Sequence, residues 1–249
     1  MRRSGADSRI ADLYQQGSLK VLFPGRPAQT LEAVTLNTSG GLTGGDRISF
    51  EAEVGAGARL CLSTQAAERA YASRDCEPAR VTTGLTLGEG AMLHWLPQET
   101  ILFDRADLCR TLAVDMVEDA TLLAVEPLVF GRHAMGETLR TGHFTDSWRV
   151  RRGGVTIYAE ALRLAGDIPR LLATTGAGAM ATLLYAAPDA EAHLAATRAS
   201  LPAPSGTSLL RPGVLVARVL AKDAYELRRL IVPLIERLSA APLPKVWRL

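Results

Sequence analysis

The sequence predicts a mainly β protein: layered, solenoid-like stacked β-sheets with a few helices, and a small C-terminal α+β portion. Three observations carry this. From Leu19 to about Thr175, short apolar runs, many of them alternating, are broken by Gly, Asp or Pro every ten to fifteen residues or so, which is the pattern of strands and turns. Within that stretch a turn followed by Ala, one variable residue and Leu recurs. After Thr175 helical spacing sets in, in the order β-α-β-β-α.

The body contains segments such as Ile48 to Val54 and Val155 to Leu162, where apolar and polar residues alternate as in half-buried strands. The recurring unit is Gly57-Ala58-Arg59-Leu60, Gly90-Ala91-Met92-Leu93 and Asp119-Ala120-Thr121-Leu122, spaced 33 and then 29 residues apart. Seven residues after each Ala stand Gln65, Gln98 and Pro127, each in a polar or Pro-containing cluster. A supersecondary unit stacked three times would align these clusters along one edge. Against this, such a short pattern also recurs by chance in an Ala-rich chain.

In the C-terminal portion, Ala179 to Tyr185 reads as a strand. Pro188-Asp189-Ala190-Glu191 opens a helix to about Ala199, with Pro and acids in its first turn. A Pro/Ser/Gly turn region at 202–206 follows, then Pro212-Gly213 before a strand from Val214 to Leu220. Asp223 caps a last helix whose Leu227, Leu230, Ile231, Leu234, Ile235 and Leu238 fall at three- and four-residue steps, with a kink expected at Pro233. The division is therefore 1–175 for the β-rich body and 176–249 for an α+β portion, either packed on it or continuous with it in one domain.

Of the 249 residues 47% are hydrophobic and 22% charged, so the chain can bury a core, and an aromatic content of 5% makes that core aliphatic. Lys and Arg exceed Asp and Glu by only 28 to 26, and apart from Arg149, Arg151 and Arg152 they are scattered, which argues against nucleic acid. No stretch approaches the roughly 18 to 20 apolar residues of a membrane span, and the N-terminal arginines precede no apolar segment. A cytoplasmic address is expected. Cys61, Cys76 and Cys109 cannot all pair and form no C-x-x-C, which suits reduced thiols.

No catalytic constellation is visible. Gly40-Gly41-Leu42-Thr43-Gly44-Gly45-Asp46-Arg47 lacks the Gly-Lys-Ser/Thr ending of a phosphate loop and runs into a strand pattern, so its glycines are read as tight turns needing positive φ. His94, His133, His143 and His193 have no zinc-site spacing and are read as surface or internally satisfied histidines. There is no G-x-S-x-G elbow and no cysteine in a nucleophile motif. The expectation is a non-enzyme with no tightly bound cofactor.

What stands out is polar residues set into apolar strands. They are Gln65 and, nearby, Tyr71; Gln98, Glu99 and Asp104 in the run from Trp95; and Glu126, Arg132 and Glu137 in the run from Glu126 to Glu137, which also holds Gly131 and Gly136. A carboxylate among apolar neighbours is costly to bury unless paired, hydrogen-bonded or bound to metal. In order along the chain, Leu36 to Arg47, Trp95-Leu96-Pro97-Gln98-Glu99-Thr100, Phe130-Gly131-Arg132-His133-Ala134-Met135-Gly136-Glu137 and the closing Trp247-Arg248-Leu249 resemble the urease accessory protein D family, UreD, also called UreH. The similarity begins near Tyr14-Gln15-Gln16-Gly17-Ser18-Leu19-Lys20 and covers nearly the whole chain. Two departures are Ser18, where many members have Pro, and His94, where Glu is expected.

The resemblance implies a mostly β scaffold that binds apo-urease and, with accessory proteins F and G, forms the complex in which the GTPase G delivers nickel. It also implies an internal passage along which nickel travels. On that footing Glu99, Asp104, Glu126 and Glu137, with Asp46, are the candidate nickel-path residues. Gly40, Gly41, Gly44, Gly45, Gln65, Tyr71, Gln98, Gly131, Arg132 and Gly136 are structural or partner-binding candidates. The competing view is that Arg132 pairs with Glu99 or Glu126 and the carboxylates only shape the fold. Two other functions stay open at this point: a carbohydrate-active β-solenoid enzyme using Glu99 and Glu126 as paired carboxylates, and a metal-free adaptor.

Overall fold

The computed structural model describes residues 1–26, 28–74, 77–132 and 135–248. Cys76, His133 and the final Leu249 lie outside the described residues. The chain opens with a hairpin of β1 (Arg2–Ser4) and β2 (Asp7–Arg9), then an antiparallel pair of β3 (Leu19–Leu22) and β4 (Leu31–Asn37). It then coils through β5 (Arg47–Val54), β6 (Arg59–Thr64), β7 (Glu68–Ala70), β8 (Ala79–Leu87), β9 (Met92–Leu96), β10 (Thr100–Leu102), β11 (Asp107–Met116), β12 (Thr121–Phe130) and β13 (His143–Arg152). Successive long strands alternate between two sheets. As a result β4, β6, β9 and β12 stack in parallel in one, and β5, β8, β11 and β13 in the other. The short β7 and β10 form a third side, parallel to each other and to the end of β12.

β14 (Val155–Ala165) closes the second sheet antiparallel to β13. After α1 (Ile168–Leu172), β15 (Ala179–Ala186) joins β12 antiparallel, so the first sheet continues without a break past residue 175. α2 (Ala190–Ala199), β16 (Gly206–Arg211), β17 (Val214–Ala221) and α3 (Ala224–Ser239) complete the predicted β-α-β-β-α order, with β17 on β15 and β16 at the edge. Among the described residues the first sheet thus has ten strands and the second five. The β1–β2 hairpin and α1 are not expected from the sequence, because elements of three and five residues are too short to show a periodicity.

The repeat is the register. Parallel stacking sets equivalent positions of successive coils against one another, so each coil buries its apolar face only on its neighbours. Leu31, Leu60, Leu93 and Leu122 form one ladder of direct strand partners, all buried. On the third side Leu42, Ala70, Leu102 and Phe130 form another. Ala58, Ala91 and Ala120 are fully buried at the corners, where Met92 N donates to Ala58 O and Thr121 N to Ala91 O.

One core lies between the two sheets and a second between the outer face of the ten-stranded sheet and α3. The stripe of α3 packs there through Leu227, Ile231, Leu234, Ile235 and Leu238. Asp223 caps it by accepting from Glu226 N, while the Glu226 carboxylate accepts from Lys222 N. Pro233 sits inside a helix that continues to Ser239. Among the described residues no helix is long and apolar enough to cross a membrane.

Candidate functional site

The polar residues singled out in the sequence fall into three places, the first two joined at Gln98. The first is between the sheets. In β12, Glu126 shares the inward phase of Leu122, Ala124 and Leu128. Opposite it, β11 and β13 bring Arg110 and Asp146 into register as direct strand partners. Asp146 accepts from Arg110 Nε at 3.2 Å and from Nη2 at 2.6 Å, and Glu126 Oε2 lies 2.6 Å from the same Nη2. The indole N–H of Trp95 donates to Glu126 Oε1 at 2.9 Å and that of Trp148 to Asp146 at 3.3 Å, while Arg110 also donates to Thr100. All three charged groups are buried, at 8%, 4% and 6% exposure for Arg110, Glu126 and Asp146. Burial, with Asp146 adding to it and Arg110 opposing, raises the Glu126 carboxyl well above the usual carboxylate range.

Glu126 and Arg110 line an inner cavity of about 100 Å³, together with Trp95, Gln98, Thr64 and Glu68. A surface pocket of about 330 Å³ that holds Gln65 adjoins it, sharing Leu19, Thr35, Thr64 and Glu68 with it. Glu68 accepts from Asn37 Nδ2 at 3.0 Å and from Arg69 N at 2.8 Å, and its burial raises its pKa.

The second place is the seat of α3. Arg228 donates to Glu99 at 2.6 Å through Nε, and also to Gln98 Oε1. Gln98 Nε2 donates to Val246 O, and Trp247 Nε1 to Leu96 O, beneath the Arg228 guanidinium, which lies 5.1 Å from the indole. Gln98 and Glu99 therefore bind the C-terminal helix and tail to the body.

The third place is an open cleft of about 1050 Å³ that includes Gly44, Tyr71, Asp104 and Glu137. Asp104 accepts from the backbone N–H groups of Arg140 and Thr141 and pairs with the Arg140 side chain. Glu137 accepts from Asp104 N. Arg132 pairs with Glu137 at 2.5 Å and stacks on Phe103. This corrects the expected pairing: Arg132 meets neither Glu99, which Arg228 holds, nor Glu126, which Arg110 holds. The true partners come from other elements: Arg110 from β11 of the facing sheet and Arg228 from α3.

Of the turn glycines, Gly44 lines this cleft and Gly40 the pocket of Gln65. Contrary to the expectation of positive φ, Gly44 has ordinary backbone; it is small because a Cβ would come within 2.7 Å of Glu77 O. Gly40 (φ +77°), Gly45 (φ +83°) and Gly136 (φ +71°) take left-handed backbone. At Gly131 (φ +89°) a Cβ would come within 2.8 Å of Glu137 O, and at Gly41 it would run into the Tyr71 ring. Asp46 closes its turn by accepting from Thr43 N. Tyr71 packs edge-on against Phe103.

Of the candidate path residues, only Asp104 and Glu137 stand together; Glu126, Glu99 and Asp46 each stand elsewhere. Among the described residues no three His, Cys, Asp or Glu side chains are gathered as a metal cage. Arg110, Asp146 and Glu68 went unrecognised in the sequence. The signal existed for two of them, since Arg110 takes the apolar phase of Leu108 and Leu112, and Asp146 that of Phe144 and Trp148. His94 is buried and held neutral, with burial and then Arg59 pushing its pKa down to about 4. His143 and His193 face Asp107 and Asp189 at 3.9 and 3.3 Å. Cys61 and Cys109 are free thiols.

The family profile described as UreD urease accessory protein matches residues 1–248. A urease accessory protein UreD of Rhizobium leguminosarum bv. viciae is 47% identical over 247 residues, covering 97% of this chain and 90% of its own length. Its namesake in Ruegeria pomeroyi is 47% identical, with 98% and 96% covered, and that of Sinorhizobium medicae 46% identical, with 100% and 93% covered. A profile match from end to end, with relatives this similar over nearly their whole length, places the chain in the UreD family of urease accessory proteins.

Proposed function

We propose that this chain is a cytoplasmic, non-catalytic scaffold that binds apo-urease together with accessory proteins F and G and lets nickel pass through its body toward the urease active site. Membership of the family supports a role in urease maturation. The observation that carries the nickel reading is the surface pocket adjoining an inner cavity, with Glu68 where the two meet and Glu126 inside. Carboxylates and water hold Ni²⁺ weakly enough to release it, where a set of His and Cys would trap it. Asp104 and Glu137 in the outer cleft, with Asp46 nearby in the chain's glycine turns, are the more exposed candidates for first contact. Glu99 is the weakest candidate, because its carboxylate is committed to Arg228. The paired-carboxylate enzyme loses support for a related reason: Glu99 and Glu126 are held by different arginines, one at the seat of α3 and one between the sheets.

The test is co-expression of urease subunits with proteins F and G, with this chain as wild type, as Glu126→Gln or absent, followed by pull-down and nickel content of the urease. Glu126→Gln keeps an acceptor for Trp95 and removes the charge. The expected result is a complex with both forms, full nickel with the wild type, and reduced nickel with the variant. Full loading with Glu126→Gln removes Glu126 from the path and favours the metal-free adaptor. Full loading without the chain, and no complex, refutes the scaffold itself.

A further inference from the structure

Arg110 is an unusual resident for the inner end of a cation route. Its strand delivers the guanidinium between the sheets, where it is 8% exposed and packs at 5.6 Å from the Phe144 ring. One carboxylate would neutralise it, and Asp146 already engages it through two nitrogens. Glu126 is the surplus. Its Oε2 is buried and, although 2.6 Å from Arg110 Nη2, receives no aligned N–H. A lone guanidinium cannot balance both acids in their ionised forms, so Glu126 keeps its proton to higher pH than a free carboxyl, whereas a divalent cation would match the ionised pair in full. Trp95 and Trp148 hold both acids in place by their indole N–H groups, independently of Arg110.

We propose that Arg110 is a resident counter-ion occupying a divalent-cation position formed by Glu126 and Asp146, and that its presence keeps this position from trapping the cargo. This rests on the reading that nickel passes through the inner cavity, and it assigns Arg110 the task of making the site weak. An ion arriving from the Glu68 side meets Glu126 with its charge already part-balanced and is released again. Without Arg110 the same two carboxylates become a site that retains the ion.

The experiment uses the purified full chain at neutral pH, titrated with Ni²⁺ alone and followed by thermal denaturation and calorimetric titration. Arg110→Met is expected to gain Ni²⁺ binding. Its melting temperature should rise by roughly 5 to 10 °C when Ni²⁺ stands a hundredfold above its dissociation constant, while the wild type barely moves. Adding Glu126→Gln to Arg110→Met should abolish the gain. A folded Arg110→Met that responds no more than the wild type, or no more than the double variant, overturns the proposal. Where Arg110→Met does not fold with or without Ni²⁺, Arg110→Lys carries the test, since an ammonium reaches one carboxylate but cannot bridge two; a Ni²⁺ response above the wild type supports the proposal and an equal one overturns it. The transit reading fails separately, through urease that loads fully without this chain, so the two failures are distinguishable.

Discussion

His94 offers a measurement of how dry the outer face of the ten-stranded sheet is beneath its cover. The ring is 4% exposed, with Cys61 as its strand partner on one side and Leu123 on the other. Burial, and then the charge of Arg59, lower its pKa from 6.5 to about 4. Between those values the unfolded chain binds a proton at this position and the native chain does not, so stability rises with pH. The contribution is fully present above 6.5 and is lost as pH falls through 4. At about 1.4 kcal/mol per pH unit over about 2.5 units, it amounts to about 3 kcal/mol. The bare pH profile of the wild type will not display it, because the raised pKa of Glu126 acts in the opposite direction: its native form takes up a proton more readily, and stability falls as pH rises through the same range. The difference between wild type and His94→Gln cancels that background. Urea denaturation of both at pH 4, 5, 6 and 7 should show the gap shifting by about 3 kcal/mol in favour of the wild type on going from acid to neutral. A gap that stays constant across the range would mean that His94 protonates freely in the native state and that the account of its burial is wrong.

Two further outcomes follow from the packing. Arg228→Leu strands the Glu99 carboxylate, 7% exposed in its side chain, without a counter-charge and is expected to cost about 3 to 5 kcal/mol; hydrogen exchange should show α3 and the 245–247 turn opening first, and unchanged protection there would deny them the role of clasp. Leu93→Ala empties the middle rung of the Leu31–Leu60–Leu93–Leu122 ladder, with an expected loss of about 2 to 5 kcal/mol in chemical denaturation, and a loss below 1 kcal/mol would mean that the coils do not lean on one another there.

The architecture is legible in local patterns of the chain, because the forces that shape it are periodic. Alternation marked the strands, the Ala-x-Leu recurrence marked the coils, and the three- and four-residue steps after Asp223 marked α3; each is a local pattern whose phase dictates which side is buried. The polar residues trapped among apolar ones were also legible, since the energetic need for a partner is visible wherever a carboxylate sits in an apolar run. The identity of that partner was not. Arg132 is near Glu126 in the sequence but pairs with Glu137, while Glu126 is met by Arg110 from the facing sheet, itself shared with Asp146, and Glu99 by Arg228, 129 residues further along. For Glu126 the register of whole coils decides which strand faces it, and for Glu99 the docking of α3 on the outer face does; no local window of sequence records either. The cavity beside Glu126 belongs to the same level: it is the space left where two sheets, a corner and a short third side fail to close on one another, and only the assembled coils contain it.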